Sequence, residues 1–210
     1  MKIAILTRQS NSDYNSLING VPITYLNMIK NNFYPLIIDS SLSLDHHKEN
    51  ILNELSQVNG VILPGGDKIS EVDLFIIDYC YQFDIPLLGI CLGMQEIAYY
   101  FDKKAIISIG DNTHMDMNAN YLHHIDLTKN GHLYNVIKKE KMEVNSRHRY
   151  QIIENKNYTI EATSNNIIEA IKVKDRAYIL GVQFHPEIMI EYDENAKKII
   201  NDFLSHVRSH

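Results

Sequence analysis

The sequence predicts an α/β fold: a mostly parallel sheet flanked by helices, with an antiparallel elaboration in its second half. Three observations predict it. Up to about residue 104, short apolar runs alternate with helical patterns, and strands apolar on both faces belong to a parallel sheet covered by helices. Beyond that point strand-like runs follow one another between turn signals such as Asn130-Gly131 and Asn165-Asn166. With 210 residues and no repeat, Pro/Ser-rich linker or low-complexity stretch, the chain reads as a single domain spanning 1–210.

The elements follow in order. "KIAILT" is a first strand, and "PITYLNMIKNN" a helix with Ile23, Leu26 and Ile29 on its apolar side. "YPLIIDS" is the next strand and "HHKENILNELSQV" the next helix, with Asp45 near its start. "GVILPGG" is a strand ending in two glycines, "SEVDLFIIDYCYQF" a helix, and Asp84 to Pro86 a turn. "PLLGI" is a strand and "MQEIAYYF" a helix. In the second half "AIISI", "YLHHIDLT", "MEVNS", "YTIEATS", "IIEAIKVK" and "AYILGVQF" read as strands. A helix from about Glu194 to His206 ends the pattern. In parallel sheets the functional crevice lies beyond the carboxyl ends of the strands, where Gly65-Gly66 and Cys91 fall.

Composition narrows the function classes. Net charge is -6, with no long Lys/Arg run, so nothing forms a footprint for nucleic acid. "MKIAILTRQS" holds too short an apolar stretch for a signal peptide, and no run of about 18 apolar residues predicts a membrane span. Two cysteines, Cys80 and Cys91, are too few for a disulfide framework and fit a reducing cytoplasm. No dinucleotide, phosphate-loop or metal motif appears, so no cofactor and no metal is expected. The expected partner is a small molecule or another protein.

Cys91 sits in "LLGICLGMQEI" as Gly89-Ile90-Cys91-Leu92-Gly93. The plain reading of a free cysteine is a small buried hydrophobe. The alternative is a Gly-x-nucleophile-x-Gly turn between strand and helix. Flanking glycines would clear the elbow and the substrate, and the helix N-terminus would favour the thiolate. Gln95, four residues on, returns to the same helical face toward a bound substrate.

A nucleophilic thiol needs a base, and the base an orienting group. In "GVQFHPEI" His185 and Glu187 straddle Pro186 at the end of an apolar strand, and extended residues two apart point the same way. Donors for an oxyanion are available from the flexible backbone of "LPGGD", at Gly65 and Gly66, and from the amide of Leu92. Each signal is weak alone. Three of them at three predicted strand ends point together to nucleophilic catalysis.

"PGG", "GICLGMQ" and "GVQFHPE" resemble, in order and spacing, the three motifs of the class I glutamine amidotransferases, which have a flavodoxin-like fold. The resemblance covers nearly the whole chain. It implies a nucleophile at Cys91, a base at His185, an orienting acid at Glu187, and an oxyanion hole of backbone amides near Gly66 and at Leu92. "MEVNSRHRYQI" is similar to the segment that marks the γ-glutamyl hydrolase branch, which includes the γ-glutamyl-γ-aminobutyrate hydrolases. Asn145, Ser146 and His148 match, and imply substrate contacts. Arg149 and Tyr150 stand where that branch often has a second His and a Gln. The stretch from Gly66 to Pro86 is also shorter than in the polyamine-pathway enzymes, which implies a more open site or a larger leaving group. Hydrolases of nucleotide-linked γ-glutamyl intermediates in surface-polysaccharide pathways are a neighbouring subgroup.

The remaining polar residues divide between scaffold and site. Cys80 lies at helical spacing from Phe75, Ile76 and Ile77 and reads as core. His114, Asp116, His123 and His124 fit no short ligand spacing, and a loop and strand with solvated histidines is expected. Arg147 and Arg149 alternate with His148, and whichever faces the cleft suits a carboxylate or phosphate. The leading expectation is a stand-alone hydrolase of a γ-glutamyl amide, acting through a thioester and releasing glutamate. Beside it stand a glutaminase subunit passing ammonia to a separate synthetase in trans, a non-catalytic binding domain, and a cysteine peptidase.

Overall fold

The computed structural model describes residues 1–11, 16–29, 33–110, 114–115 and 122–210. In chain order the elements are β1 (Lys2–Leu6), β2 (Arg8–Asn11), β3 (Leu17–Gly20), α1 (Ile23–Ile29), β4 (Tyr34–Ile38), α2 (Leu44–Leu55), β5 (Gly60–Leu63), α3 (Glu71–Phe83), β6 (Leu87–Ile90) and α4 (Leu92–Phe101). The second half holds β7 (Ile106–Ser108), β8 (Leu122–Leu127), α5 (His132–Ile137), β9 (Lys141–Asn145), β10 (Tyr150–Ile152), β11 (Tyr158–Ser164), β12 (Ile167–Val173), β13 (Ile179–Val182), α6 (Pro186–Met189) and α7 (Glu194–Ser209).

Nine strands form the main sheet in the order β4-β1-β5-β6-β13-β12-β11-β8-β9. From β4 to β13 neighbours run parallel; from β13 to β9 they run antiparallel. This is the mostly parallel sheet with an antiparallel second half that the sequence predicts. The chain position of β13 matters most. It returns from the antiparallel half to lie beside β6, so β5, β6 and β13 are consecutive parallel strands whose carboxyl ends share one sheet edge. The three sequence motifs follow directly from those three strands.

Alternation along each central strand feeds a core on either face. Ile3 and Ile5 join Ile62, Leu88 and Leu180 in one core, under α1, α5 and α7. Ala4 and Leu6 join Val61, Leu63 and Leu87 in the other, under α2, α3 and α4. The apolar face of α7 buries Ile199, Ile200, Phe203, Leu204 and Val207, each contributing about 1.5–3 kcal/mol. Cys80 is fully buried in the second core, as its spacing predicts.

Some local expectations are corrected. In α1 the buried side chains are Tyr25, Met28 and Ile29, whereas Ile23 is exposed, because the helix is only two turns long and rolls Tyr25 toward the strand ends. The hairpin β2–β3 and the helices α5 and α6 carry no periodic signal in the sequence. The N-terminus of α5 is fixed from a distance: the buried Glu161 carboxylate on β11 accepts a hydrogen bond from the Leu133 amide at 3.0 Å. No described helix is long and apolar enough to cross a membrane.

Candidate active site

Cys91 links β6 to α4 with φ 53° and ψ -104°. That is a rare conformation for a residue with a side chain, and it costs about 1–3 kcal/mol. The surroundings hold it there. The Cys91 amide donates to the Val182 carbonyl at the end of β13 (2.8 Å), and its own carbonyl accepts from Met94 and Gln95 in the first turn of α4. Gly93 is needed because a Cβ there would collide with the Leu63 carbonyl of β5. The glycine after the cysteine therefore lets α4 pack onto the sheet, more than it clears room for substrate.

His185 follows β13 and faces the same edge. Its Nδ1 lies 2.7 Å from Oε1 of Glu187, which is 3% exposed. The pairing arises differently from the expected strand alternation: Glu187 belongs to the first turn of α6, which Pro186 starts. Burial opposes charge on His185. The Glu187 carboxylate and then the Cys91 sulfur outweigh it and raise the imidazole to about 10. A positively charged ring between a carboxylate and a thiol suits proton transfer at the sulfur.

The turn after β5 completes the cluster. A Cβ on Gly65 would come within 2.8 Å of His185 Cε1 and 3.4 Å of Cys91 Cβ, so base and nucleophile both rest against this glycine. The Gly65 amide donates to the Tyr25 hydroxyl at 2.9 Å. Burial, then the charge of Glu187, push the Tyr25 phenol well up. Gly66 packs against Leu92, whose Cδ2 lies 3.2 Å from the place a Gly66 Cβ would take. Leu92 begins α4, so its amide lacks an intrahelical acceptor. Gly65 thus rests against Cys91, and Gly66 against Leu92.

Beneath that turn lies a buried ion cluster. Arg8 donates from Nε and Nη2 to the Pro64 carbonyl (3.1 and 3.0 Å), from Nη1 to Asp73 (2.7 Å) and from Nη2 to Glu96 (2.8 Å). Asp73 also closes the capping box of α3 with Ser70. Burial, against the pull of Arg8, pushes the Glu96 carboxyl well up. Arg8 thereby ties Pro64, and with it the Gly65-Gly66 turn, to α3 and α4.

The expected substrate contacts are mostly occupied by the protein itself. Asn145 brackets the His185 backbone, accepting from its amide (2.7 Å) and donating to its carbonyl (3.0 Å). Ser146 donates to the His114 carbonyl at 2.8 Å. Gln95 is buried and donates to the Tyr150 carbonyl (3.3 Å) and to Gln183 Oε1 (3.1 Å). A carbonyl only accepts, which fixes the Gln95 amide orientation and leaves Gln183 Nε2 to face Cys91 Sγ at 3.6 Å. Arg147 is half-buried and Arg149 exposed, while His148 turns inward. Asn145, Ser146 and His148 sit where backbone and neighbouring side chains use them, a consequence of the antiparallel strands packing beside β13.

The histidines correct the sequence reading. His114 is buried, the side chain of His123 is 9% exposed, and both lie beside the fully buried Glu169; among these only His124 is solvated. Asp116 lies outside the described residues. Burial opposes the charge on Glu169, but the imidazoles of His123 and His148 outweigh it and hold the carboxyl down at about 2. Arg8, Tyr25 and Gln183 are site residues that sequence reasoning missed. Gln183 alone had a signal, its place in the "GVQFHPE" motif.

The chain is similar to other proteins in sequence and in fold. A candidate glutamine amidotransferase (PB2B2.05) of Schizosaccharomyces pombe is 27% identical over 182 residues, covering 73% of this chain and 71% of that protein. The CTP synthase of Clostridium acetobutylicum is 25% identical over 174 residues, covering 67% of this chain but 32% of the synthase. The chain therefore matches about a third of that relative's length. A candidate GMP synthase subunit from Thermoplasma acidophilum shares the fold, with a TM-score of 0.73 at 18% identity over 100% of this chain and 95% of that one. The profile of the family described as glutamine amidotransferase class-I matches residues 23–207. With the match running through all three motifs, the chain belongs to the class-I glutamine amidotransferase family.

Proposed function

We propose that the chain, as one amidotransferase domain, is a cysteine-dependent hydrolase of a γ-glutamyl amide. The observation that carries this is the convergence of the strained Cys91 elbow and the Glu187-held His185 on adjacent strand ends. The Cys91 thiolate attacks the γ-carbonyl carbon and forms a C–S bond. The oxyanion is met by the amides of Gly66 and Leu92. The His185 imidazolium gives its proton to the leaving nitrogen as the C–N bond breaks, leaving a γ-glutamyl thioester. His185 then takes a proton from water, whose oxygen attacks the thioester carbon. The C–S bond breaks, glutamate departs, and the thiolate–imidazolium pair is restored.

Two readings of the leaving group have support. A cavity of about 600 Å³ is lined by Arg8, Ser40, Ser41, Asp67, Lys68 and Ser70 among others; it reaches the residue after Gly66 but is not lined by Cys91 or His185. It is far larger than ammonia needs and polar enough for a substituted amide, a nucleotide-linked one included. This favours a stand-alone hydrolase. The likeness to about a third of a CTP synthase favours the second reading, a glutaminase that hands ammonia to a separate synthetase.

Glutamate release from glutamine and from a panel of substituted γ-glutamyl amides, with Cys91→Ala as the blank, separates them. Turnover of a substituted amide with poor use of glutamine supports the hydrolase. Glutamine turnover that rises only when a synthetase is added supports the second reading. Silence across the panel, with Cys91 still open to alkylation, overturns the stand-alone hydrolase, and silence that persists with a synthetase added overturns the second reading as well.

A further inference from the structure

Three imidazoles away from the reacting atoms converge on one carboxylate oxygen, that of a fourth residue, Glu169. Oε1 of Glu169 lies 3.2 Å from His123 Nε2, 3.5 Å from His114 Nδ1 and 3.7 Å from His148 Nε2. The Glu169 and His148 side chains are at most 1% exposed. The four come from separate stretches: the segment bridging Met115 to Arg147, strand β8, the turn after β9, and strand β12.

The tautomer of His148 is what makes this arrangement informative. Its Nδ1 lies 3.0 Å from the Tyr150 carbonyl, which only accepts, so Nδ1 carries the proton. His148 Nε2 then lies 3.7 Å from Oε1 of Glu169, close for two buried polar atoms but too far for a hydrogen bond. Neither His148 Nε2 nor Glu169 Oε2 has a hydrogen-bond partner among the described residues. Buried polar groups left this way cost free energy that a cation between them removes.

The distances fit such an ion. Metal–nitrogen and metal–oxygen bonds near 2.0–2.1 Å give a tetrahedral ligand–ligand edge of about 3.4 Å, and the three contacts to Glu169 bracket that value. The ligand atoms of His114, His123 and Glu169 all lie within 4.8 Å of one another. A ring nitrogen whose partner N–H is held by a backbone carbonyl is the usual form of a metal-bound histidine.

We propose that His114, His123, His148 and Glu169 form a site for a divalent transition ion, with zinc the best match to three imidazoles and a carboxylate. His114, His123 and Glu169 supply three ligands, and His148, 3.7 Å from Glu169 Oε1, closes the fourth position, so the ion is structural. It pins the Met115–Arg147 bridge to β8 and β12. Its influence reaches the nucleophile only through scaffold: the Glu169 carbonyl accepts from the Gln183 amide at 2.8 Å, and the Gln183 side chain faces Cys91. This site does not depend on which amide the enzyme cleaves.

Metal analysis of the intact protein, purified without chelators, is the test, followed by stripping with dipicolinate and titration with Zn(II) and Co(II). The expected result is about one zinc per chain, a melting temperature that rises when zinc returns, and the visible bands of four-coordinate Co(II). His123→Gln and Glu169→Gln, checked for fold by circular dichroism, should lose the metal and the thermal response. The cobalt spectrum of the unaltered protein needs no variant, so a misfolded variant does not leave the question open. No bound metal and no cobalt bands would overturn the proposal. Equal metal in wild type and both variants, an adventitious ion only, would also overturn it.

Discussion

In the parallel half of the main sheet, polar side chains gather just beyond the strand ends; in the antiparallel half they sit on the strands themselves. Cys91, Gly65 and His185 all follow the last residue of a fully apolar strand. His123, Glu161 and Glu169 lie within β8, β11 and β12. The first arrangement leaves the sheet core untouched and gives the reactive groups one open edge. The second places charges inside the layer, where they must find partners from other elements. The same fold thus holds a site that works by access and a cluster that works by enclosure.

The sharpest way to break this comparison is at the elbow, where strain and chemistry share one residue. Cys91→Gly removes the nucleophile and should reduce glutamate release by about 10⁴-fold or more. It should also raise stability by roughly 1 kcal/mol in urea unfolding, because glycine accepts the positive φ. A variant that lost activity and stability together would show that the elbow is not strained.

Arg8 asks whether the access site also depends on an enclosed one. Arg8→Met keeps the stem but leaves Asp73 and Glu96 without their cation. The expected loss is about 3–5 kcal/mol, read from urea unfolding, with slower turnover per folded molecule because the Pro64 carbonyl is released. A loss below about 1 kcal/mol would mean that Glu96, protonated, had already relieved the charge. Gly65→Ala tests the turn above it. Its methyl would press on the His185 ring, and a displacement of the base by a fraction of an ångström should cost up to about 10²-fold in turnover with little change in the unfolding midpoint.

How far each region can be read from the sequence follows the same division. The parallel strands are short, apolar and spaced by helices, so their order and ends are legible, and Cys91, His185 and Glu187 can be assigned from contiguous motifs. Arg8 meets Asp73 and Glu96 across 65 and 88 residues, a pairing that no local pattern encodes. Tyr25 reaches Gly65 across 40 residues from an ordinary helical position. The histidines read as solvated because their spacing along the chain says nothing of Glu169, which only the antiparallel register brings near. Asn145 and Ser146 are legible as a motif, but their partners within the protein are not. Their hydrogen bonds go to the backbone of His185 and His114.

Glu187→Gln gives the smallest effect and isolates the electrostatic part of the site. His185 stands at about 10 in the folded protein, against roughly 6.5 for a free imidazole. The raised value means that the imidazolium's favourable contacts stabilise the fold fully below about pH 6.5, and that this contribution is lost as pH rises through about 10. Removing the Glu187 charge should narrow that window from above. The difference in melting temperature between wild type and Glu187→Gln should therefore be largest in mild acid and shrink toward about pH 10. Turnover should follow the same logic. The wild-type alkaline limb, set by the acid that protonates the leaving nitrogen, should lie near about pH 10, and the variant's at least about one unit lower. At neutral pH the loss should be modest, roughly tenfold, because Asn145 still holds the His185 backbone and the Cys91 sulfur still favours the charged ring. An unmoved alkaline limb would show that Glu187 orients His185 without setting its charge.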